Sequence, residues 1–240
     1  MGKRGWIVFS VIVVGLLAAL VITSRNANPP IDVSNIKEAT ILPASTDSGN
    51  IADQVFGNKD AKVILVEYGD LQCPACKTAH PNLKLITEAY KDKIAFVFRN
   101  FPLTAIHPNA RTGSAAAEAA GLQGKYWEMN DYLYEHADEW ISLTDRTKLS
   151  DTFVGYAKIL NLDTAKFTND IASTEVNQKI SFDQALGKKL GVDSTPTLYI
   201  DGVKIESTVV QDVQNGTGDK LRALIDANLT KAGVTLPSAN

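Results

Sequence analysis

Hydrophobic residues are distributed very unevenly along this chain. Gly5 to Thr23 reads G-W-I-V-F-S-V-I-V-V-G-L-L-A-A-L-V-I-T, with no charge in the run. At about 1.5 Å per residue, a helix of this length matches the hydrocarbon core of a bilayer. The run is apolar on every side, so it lacks the polar stripe of a helix packed on a soluble core. Lys3 and Arg4 precede it and Arg25 follows. Together with the amino group, the leading charges favour a cytoplasmic amino terminus and an extracytoplasmic remainder. Residues 1–25 therefore predict an N-terminal transmembrane helix. The alternative is a cleaved signal peptide, although the small residues Ala18 and Ala19 lie inside the apolar run rather than after it.

The next stretch, 26–50, reads as a linker rich in Asn, Pro, Ser and Asp, with Pro29, Pro30 and Pro43 as breakers. A short strand is expected at Lys37 to Leu42, and the folded domain is expected to occupy 51–240. There the pattern becomes β-like. Lys62 to Tyr68 (K-V-I-L-V-E-Y) is an apolar, β-branched run that predicts a buried central strand. After a turn at Gly69 to Gln72, a helix begins near Cys73 and Pro74 and continues through Ala79, Leu83, Ile86 and Ala89, with Pro81 as an interior kink. Lys93 to Arg99 is the second strand, which completes a right-handed parallel βαβ unit. From about 108 to 190 the apolar spacing is helical, in segments at Ala115–Leu122, Tyr126–His136, Thr147–Leu160, Thr164–Ile171 and Val176–Leu190. Asp145 and Asp163 are placed to cap two of these. Thr197 to Ile200, Asp201-Gly202 and Val203 to Ile205 then predict a hairpin, and Gly218 to Lys231 a final amphipathic helix. The aromatic residues Tyr126, Trp127, Tyr132 and Tyr134 are expected mainly in the core of the helical insertion.

Charge changes this picture little. Lys and Arg total 24, Asp and Glu total 27, and no long basic run occurs, which argues against nucleic acid as a partner. Cysteine changes it more. The chain has two cysteines, Cys73 and Cys76. They are too few for a disulfide framework, and there is no second pair to complete a structural zinc site. Thiols at i and i+3 lie on one side of a helix's first turn and can close a disulfide. The first faces unpaired backbone N–H groups and the positive end of the helix dipole, both of which favour thiolate. Cys73 is thus the expected nucleophile and Cys76 the deeper, resolving thiol. The competing reading is half a metal site, with His80 as a third ligand on the same face. His107 and His136, the other histidines, have no position that makes them a general base.

The motif C-P-A-C follows V-E-Y-G-D-L-Q, and Pro81 lies five residues after Cys76. Further on come F-P-L-T-A-I-H-P, Q-G-K-Y-W-E-M and V-D-S-T-P-T-L-Y-I-D-G. Together these resemble the thioredoxin superfamily, and in particular its DsbA-like, membrane-anchored thiol–disulfide oxidoreductases, over roughly residues 51–232. The resemblance implies an α/β thioredoxin-like fold, a central mixed sheet flanked by helices, with a large helical insertion. It implies that Pro74 and Ala75 are the active-site dipeptide, and that a cis Thr195–Pro196 bond lies beside the cysteines, where Thr195 and Pro196 bind substrate backbone. It also implies that Glu67, a carboxylate in an otherwise apolar strand, relays a proton beneath the resolving thiol; the alternative is a strand end already reaching water. Gln72 departs from the aromatic residue common before the first cysteine.

The implied function is that of an extracytoplasmic oxidase donating the Cys73–Cys76 disulfide to exported proteins through a mixed disulfide. No cofactor beyond that disulfide and no metal is implied. The implied partners are exported proteins with free thiols or disulfides, a membrane redox partner that resets the pair, and the membrane itself. A reductase or isomerase on the same fold, a tethered chaperone and a metal-binding module are the alternatives.

Overall fold

A computed structural model describes residues 2–27, 31–36 and 40–237. The chain divides into two units, Met1–Asp32 and Val33–Asn240. The first holds helix α1 (Lys3–Ala27), where Trp6, Phe9, Leu16 and Leu20 are exposed. The expected anchor falls partly on side chains 21–25, outside the described residues. Among the described residues no helix is long and apolar enough to cross a membrane.

The second unit is built on a five-stranded sheet. Its strands are β1 (Gln54–Gly57), β2 (Val63–Gly69), β3 (Ile94–Asn100), β4 (Thr197–Ile200) and β5 (Val203–Lys204), in the order β1-β3-β2-β4-β5. β2 and β3 are parallel, as the predicted βαβ unit requires, and every other pairing is antiparallel. The crossover is α2 (Pro74–Tyr90), which carries Pro81 inside it and buries Ala79, Leu83 and Ile86. These pack with Val63, Leu65, Ile94 and Phe96 from one face of the sheet. Alternation along β2 turns Glu67 to the same face as Leu65, and Tyr68 to the opposite one.

Between β3 and β4 lies the helical insertion: α3 (Ala110–Gly121), α4 (Tyr126–Glu135), the single turn α5 (Ala137–Trp140), α6 (Arg146–Ile159), α7 (Thr164–Ile171) and α8 (Thr174–Lys189). Asp145 and Asp163 cap α6 and α7 as expected, accepting from Thr147 N and Lys148 N and from Lys166 N. The insertion's core joins Tyr126, Met129, Leu133, Trp140 and Phe153 to both cysteines. The chain ends with α9 (Ser207–Gln214) and α10 (Asp219–Lys231).

Some expectations fail. No strand forms at 40–42, and residues 37–39 lie outside the described residues. The strand on that side of the sheet is instead β1. Helix α9 was not expected, and the returning hairpin strand stops at Lys204. Helix α3 starts at Ala110, earlier than the alanine-rich spacing indicated. Within the stretch read as a linker, Val33, Leu42 and Ser48 are buried, Leu42 N donates to Asp53 Oδ2, and Arg99 donates to Thr40 O.

Candidate active site

The site is built where β2 turns into α2. Asp70 closes that turn: its Oδ1 accepts from Gln72 N at 2.8 Å and its carbonyl from Cys73 N at 3.0 Å. Cys73 is the N-cap of α2, in an extended conformation, and Pro74 is the first helical residue, where its missing N–H removes no helical bond. The thiol of Cys73 therefore faces the free amides of the first turn. Cys76, one turn on, points inward and is 1% exposed, against 7% for Cys73.

This asymmetry separates the two thiols. Cys73 is held down at about 5, first because the Cys76 side chain hydrogen-bonds to its sulfur. Burial opposes the shift, while the Thr195 side chain and the backbone N–H groups of Cys76 and Ala75 support it. Cys76 is pushed well above the ordinary thiol range, chiefly by burial, then by its bond to Cys73 and by the nearby charges of Glu67 and Cys73. Both cysteines are free thiols here.

The remaining predicted residues gather around the pair. The Thr195–Pro196 bond is cis, and Cys73 Sγ donates to Thr195 O at 3.4 Å. The Thr195 hydroxyl is buried and has no hydrogen bond of ordinary geometry, yet it lies near enough to the sulfur to favour thiolate. Glu67 is 4% exposed and sits between Phe98 of β3 and Leu198 of β4. It does not end in water. Burial, followed by the Cys73 charge, raises its carboxyl to about 8, so it carries a proton at neutral pH.

The histidines have separate settings. His107 Nδ1 lies 2.7 Å from Asp70 Oδ2, and His136 Nδ1 lies 2.8 Å from Glu139 Oε1. His80 Nε2 lies 3.1 Å from Asp131 Oδ1, with its ring against Tyr134. Among the described residues no group of three or more His, Cys, Asp or Glu side chains is arranged to hold a metal ion.

Sequence reasoning missed the residues that hold the site in place. Asp70 Oδ2 also accepts from Leu103 N, which ties the segment after β3 to the cysteine turn. Gln72 is a staple: its Nε2 donates to Ile141 O at 2.6 Å and its Oε1 accepts from Asn109 N at 2.7 Å. Asn109 in turn donates to the carbonyls of Trp140 and Leu143. The one local signal was Asp70 itself, a residue that bonds its own backbone two positions on and so favours turns.

Comparison with known proteins agrees with this geometry. A family model described as thioredoxin matches residues 49–227. The probable disulfide bond formation protein D of Bacillus cereus is 32% identical over 209 residues, covering 80% of this chain and 88% of that protein. A Na(+)/H(+) antiporter NhaA 1 of Salinispora arenicola is 34% identical over 197 residues, 82% of this chain, but the match spans 27% of the antiporter's length. Among solved structures, alpha-DsbA1 of Wolbachia pipientis superposes with a TM-score of 0.55 at 27% identity, covering 74% of this chain and 94% of that one. The chain belongs to the thioredoxin family and is similar to its DsbA-like members.

Proposed function

We propose that this chain is an extracytoplasmic oxidase that gives its Cys73–Cys76 disulfide to exported proteins. The observation that carries the reading is the split between the thiols: Cys73 at about 5 and Cys76 pushed far up. A substrate thiolate attacks Cys73 Sγ, and the Cys73–Cys76 bond breaks. Cys76 leaves as a thiolate and takes the proton of Glu67. A second substrate thiolate then attacks the substrate sulfur of the mixed disulfide and expels Cys73 as a stable thiolate. The substrate is oxidised by two electrons and the cysteine pair reduced. Stabilising the reduced form in this way makes the disulfide a stronger oxidant. The disulfide is itself the redox centre, so the reaction needs no separate cofactor.

Thr195 and Pro196, beside Cys73, are the proposed docking point for an extended substrate backbone. Helix α1 is the proposed membrane anchor, supported by the uncharged run Gly5 to Thr23 and the basic residues before it. A membrane redox partner that reoxidises the pair completes the cycle.

Equilibration of the 33–240 domain with glutathione redox buffers tests the direction. A potential near about −120 mV is expected, whereas one near the thioredoxin value of about −270 mV would make the chain a reductase.

A further inference from the structure

The segment after β3, F-P-L-T-A-I-H-P, takes no part in the exchange steps above, yet it is fastened to the cysteine turn. Phe101 N donates to Gly69 O at 2.8 Å, and Leu103 N to Asp70 Oδ2 at 2.8 Å. A tight turn follows, in which Ile106 N and His107 N both donate to Leu103 O, at 3.0 and 2.9 Å. That turn carries the His107 ring back to Asp70, with Nδ1 2.7 Å from Oδ2. We propose that His107 is a positioning residue of thiol–disulfide exchange, which acts through Asp70 to hold the turn that surrounds both sulfurs. This role rests on exchange at Cys73 and Cys76 but not on the direction in which electrons flow.

Asp70 joins the loop to the thiols. Its side chain is wholly buried. Its carbonyl accepts from Cys73 N at 3.0 Å and from the Tyr134 hydroxyl at 3.4 Å. Its own N–H donates to the Cys76 sulfur. The main chain of one residue thus touches both cysteines, while its carboxyl is held from three sides. Oδ1 accepts from Gln72 N at 2.8 Å, and Oδ2 from Leu103 N and from His107.

His107 differs from the other two donors. Gln72 N and Leu103 N are backbone amides, which donate but carry no charge. Imidazole donates and can also be a cation. Among the described residues no other side chain bonds to the Asp70 carboxyl. Without His107, a carboxyl enclosed beside a working thiolate has no side chain to answer it. Two effects then act in the same direction. The negative charge opposes the Cys73 thiolate, and a buried carboxyl that has lost its partner is driven toward water. Such movement slackens the turn that presents amides to the sulfurs. Both effects raise Cys73 from its value of about 5.

The chemistry of the side chain supplies its own control. Asparagine carries Nδ2 on Cγ, as histidine carries Nδ1, so it returns a donor at the same reach. Glutamine carries its amide one carbon further out. The His107 side chain is 15% exposed, so either amide can also meet water.

The test is the rate of iodoacetamide alkylation of the reduced full chain against pH, with glutathione equilibration and urea unfolding of the same proteins. His107→Leu and His107→Gln are expected to raise the Cys73 midpoint by about one unit. At pH 7 that removes about tenfold of the thiolate's stabilisation of the reduced form. The equilibrium constant with glutathione is therefore expected to shift about tenfold toward a weaker oxidant, about 30 mV for two electrons. His107→Asn is expected to keep both the midpoint and the equilibrium of the wild type. Lower stability in His107→Leu with an unchanged midpoint and equilibrium would overturn the proposal, because a merely structural histidine gives that result. A His107→Asn that behaves like His107→Gln would also overturn it. If His107→Leu fails to fold, the comparison of Asn with Gln decides alone. A wild-type potential near the thioredoxin value would set aside the oxidase reading and leave the differences between variants standing. Absence of exchange in the wild type would overturn both.

Discussion

Two carboxyl groups buried in the same domain are driven in opposite directions. Glu67 and Asp53 are both almost wholly enclosed, and burial is the largest influence on each, raising both. Asp53 nevertheless ends at about 2, because Lys179 and Arg99 stand against it. Arg99 Nη2 donates to it at 2.7 Å and Lys179 Nζ at 3.0 Å. Among the described residues no cation acts on Glu67, which meets the Cys73 charge instead and ends at about 8. Arg99 pairs in register with Tyr68, one residue from Glu67, but alternation turns it to the other face of the sheet. Glu118 is the intermediate case. It shares Lys179 with Asp183, and burial, its largest influence, lifts it to about 7. Burial alone thus does not decide what a carboxyl does; the sum of the charges set around it decides as well. One face of the sheet uses buried charge to hold the fold, and the other keeps a carboxyl protonated beside a thiol.

Removing members of each group tests that contrast. The largest effect on chemistry comes from Cys73→Ser, which is expected to abolish thiol exchange while Cys76→Ser accumulates mixed disulfides visible by mass spectrometry. Cys73→Ser also removes the negative neighbour of Glu67, whose pKa then falls but stays above the ordinary range because burial remains. On the other face, Arg99→Met leaves Asp53 short of a cation and is expected to cost about 3–5 kcal/mol in urea unfolding, with exchange in the folded fraction retained.

The two carboxyls also predict opposite pH dependences. The folded state holds the Glu67 proton up to about 8, while the unfolded chain releases it near 4.5. The contribution of Glu67 to stability is therefore full below 4.5 and falls as pH rises through that window, by a few kcal/mol at about 1.4 per unit. In Glu67→Gln this loss disappears, so the variant gains on the wild type as pH rises. Asp53 behaves in reverse: its contribution is present above 3.8 and is lost as pH falls toward 2. Urea melts at stepped pH read both slopes. The smallest expected effect is in Thr195→Val, which removes one group favouring the Cys73 thiolate; its pKa should rise by less than about one unit.

Much of this was legible in the sequence, for particular reasons. A seven-residue apolar strand leading into Cys-Pro-Ala-Cys leaves little freedom, because strand, turn, helix start and i, i+3 thiols must coincide. Glu67 stood out as a carboxyl inside that strand. β1 escaped because four residues at a sheet edge carry too little alternation to be told from loop. The cation cluster escaped for another reason. Arg99 lies 46 residues from Asp53, and Lys179 lies 126 from it. Nothing local marks such pairs, and only the i, i+4 spacing of Lys179 and Asp183 was visible. Gln72 showed only as a departure from the aromatic residue common before the first cysteine, and nothing local marked its bonds to Ile141 and Asn109 across the insertion.

The two thiols of one motif are split, with Cys73 ionised and Cys76 protonated above the Glu67 carboxyl. Thiolate ultraviolet absorbance of the reduced domain, followed against pH, tests that split most directly. One sulfur is expected to ionise near about 5 and the second only in strong alkali. Two sulfurs titrating together near the free-cysteine value of about 8.5 would contradict it.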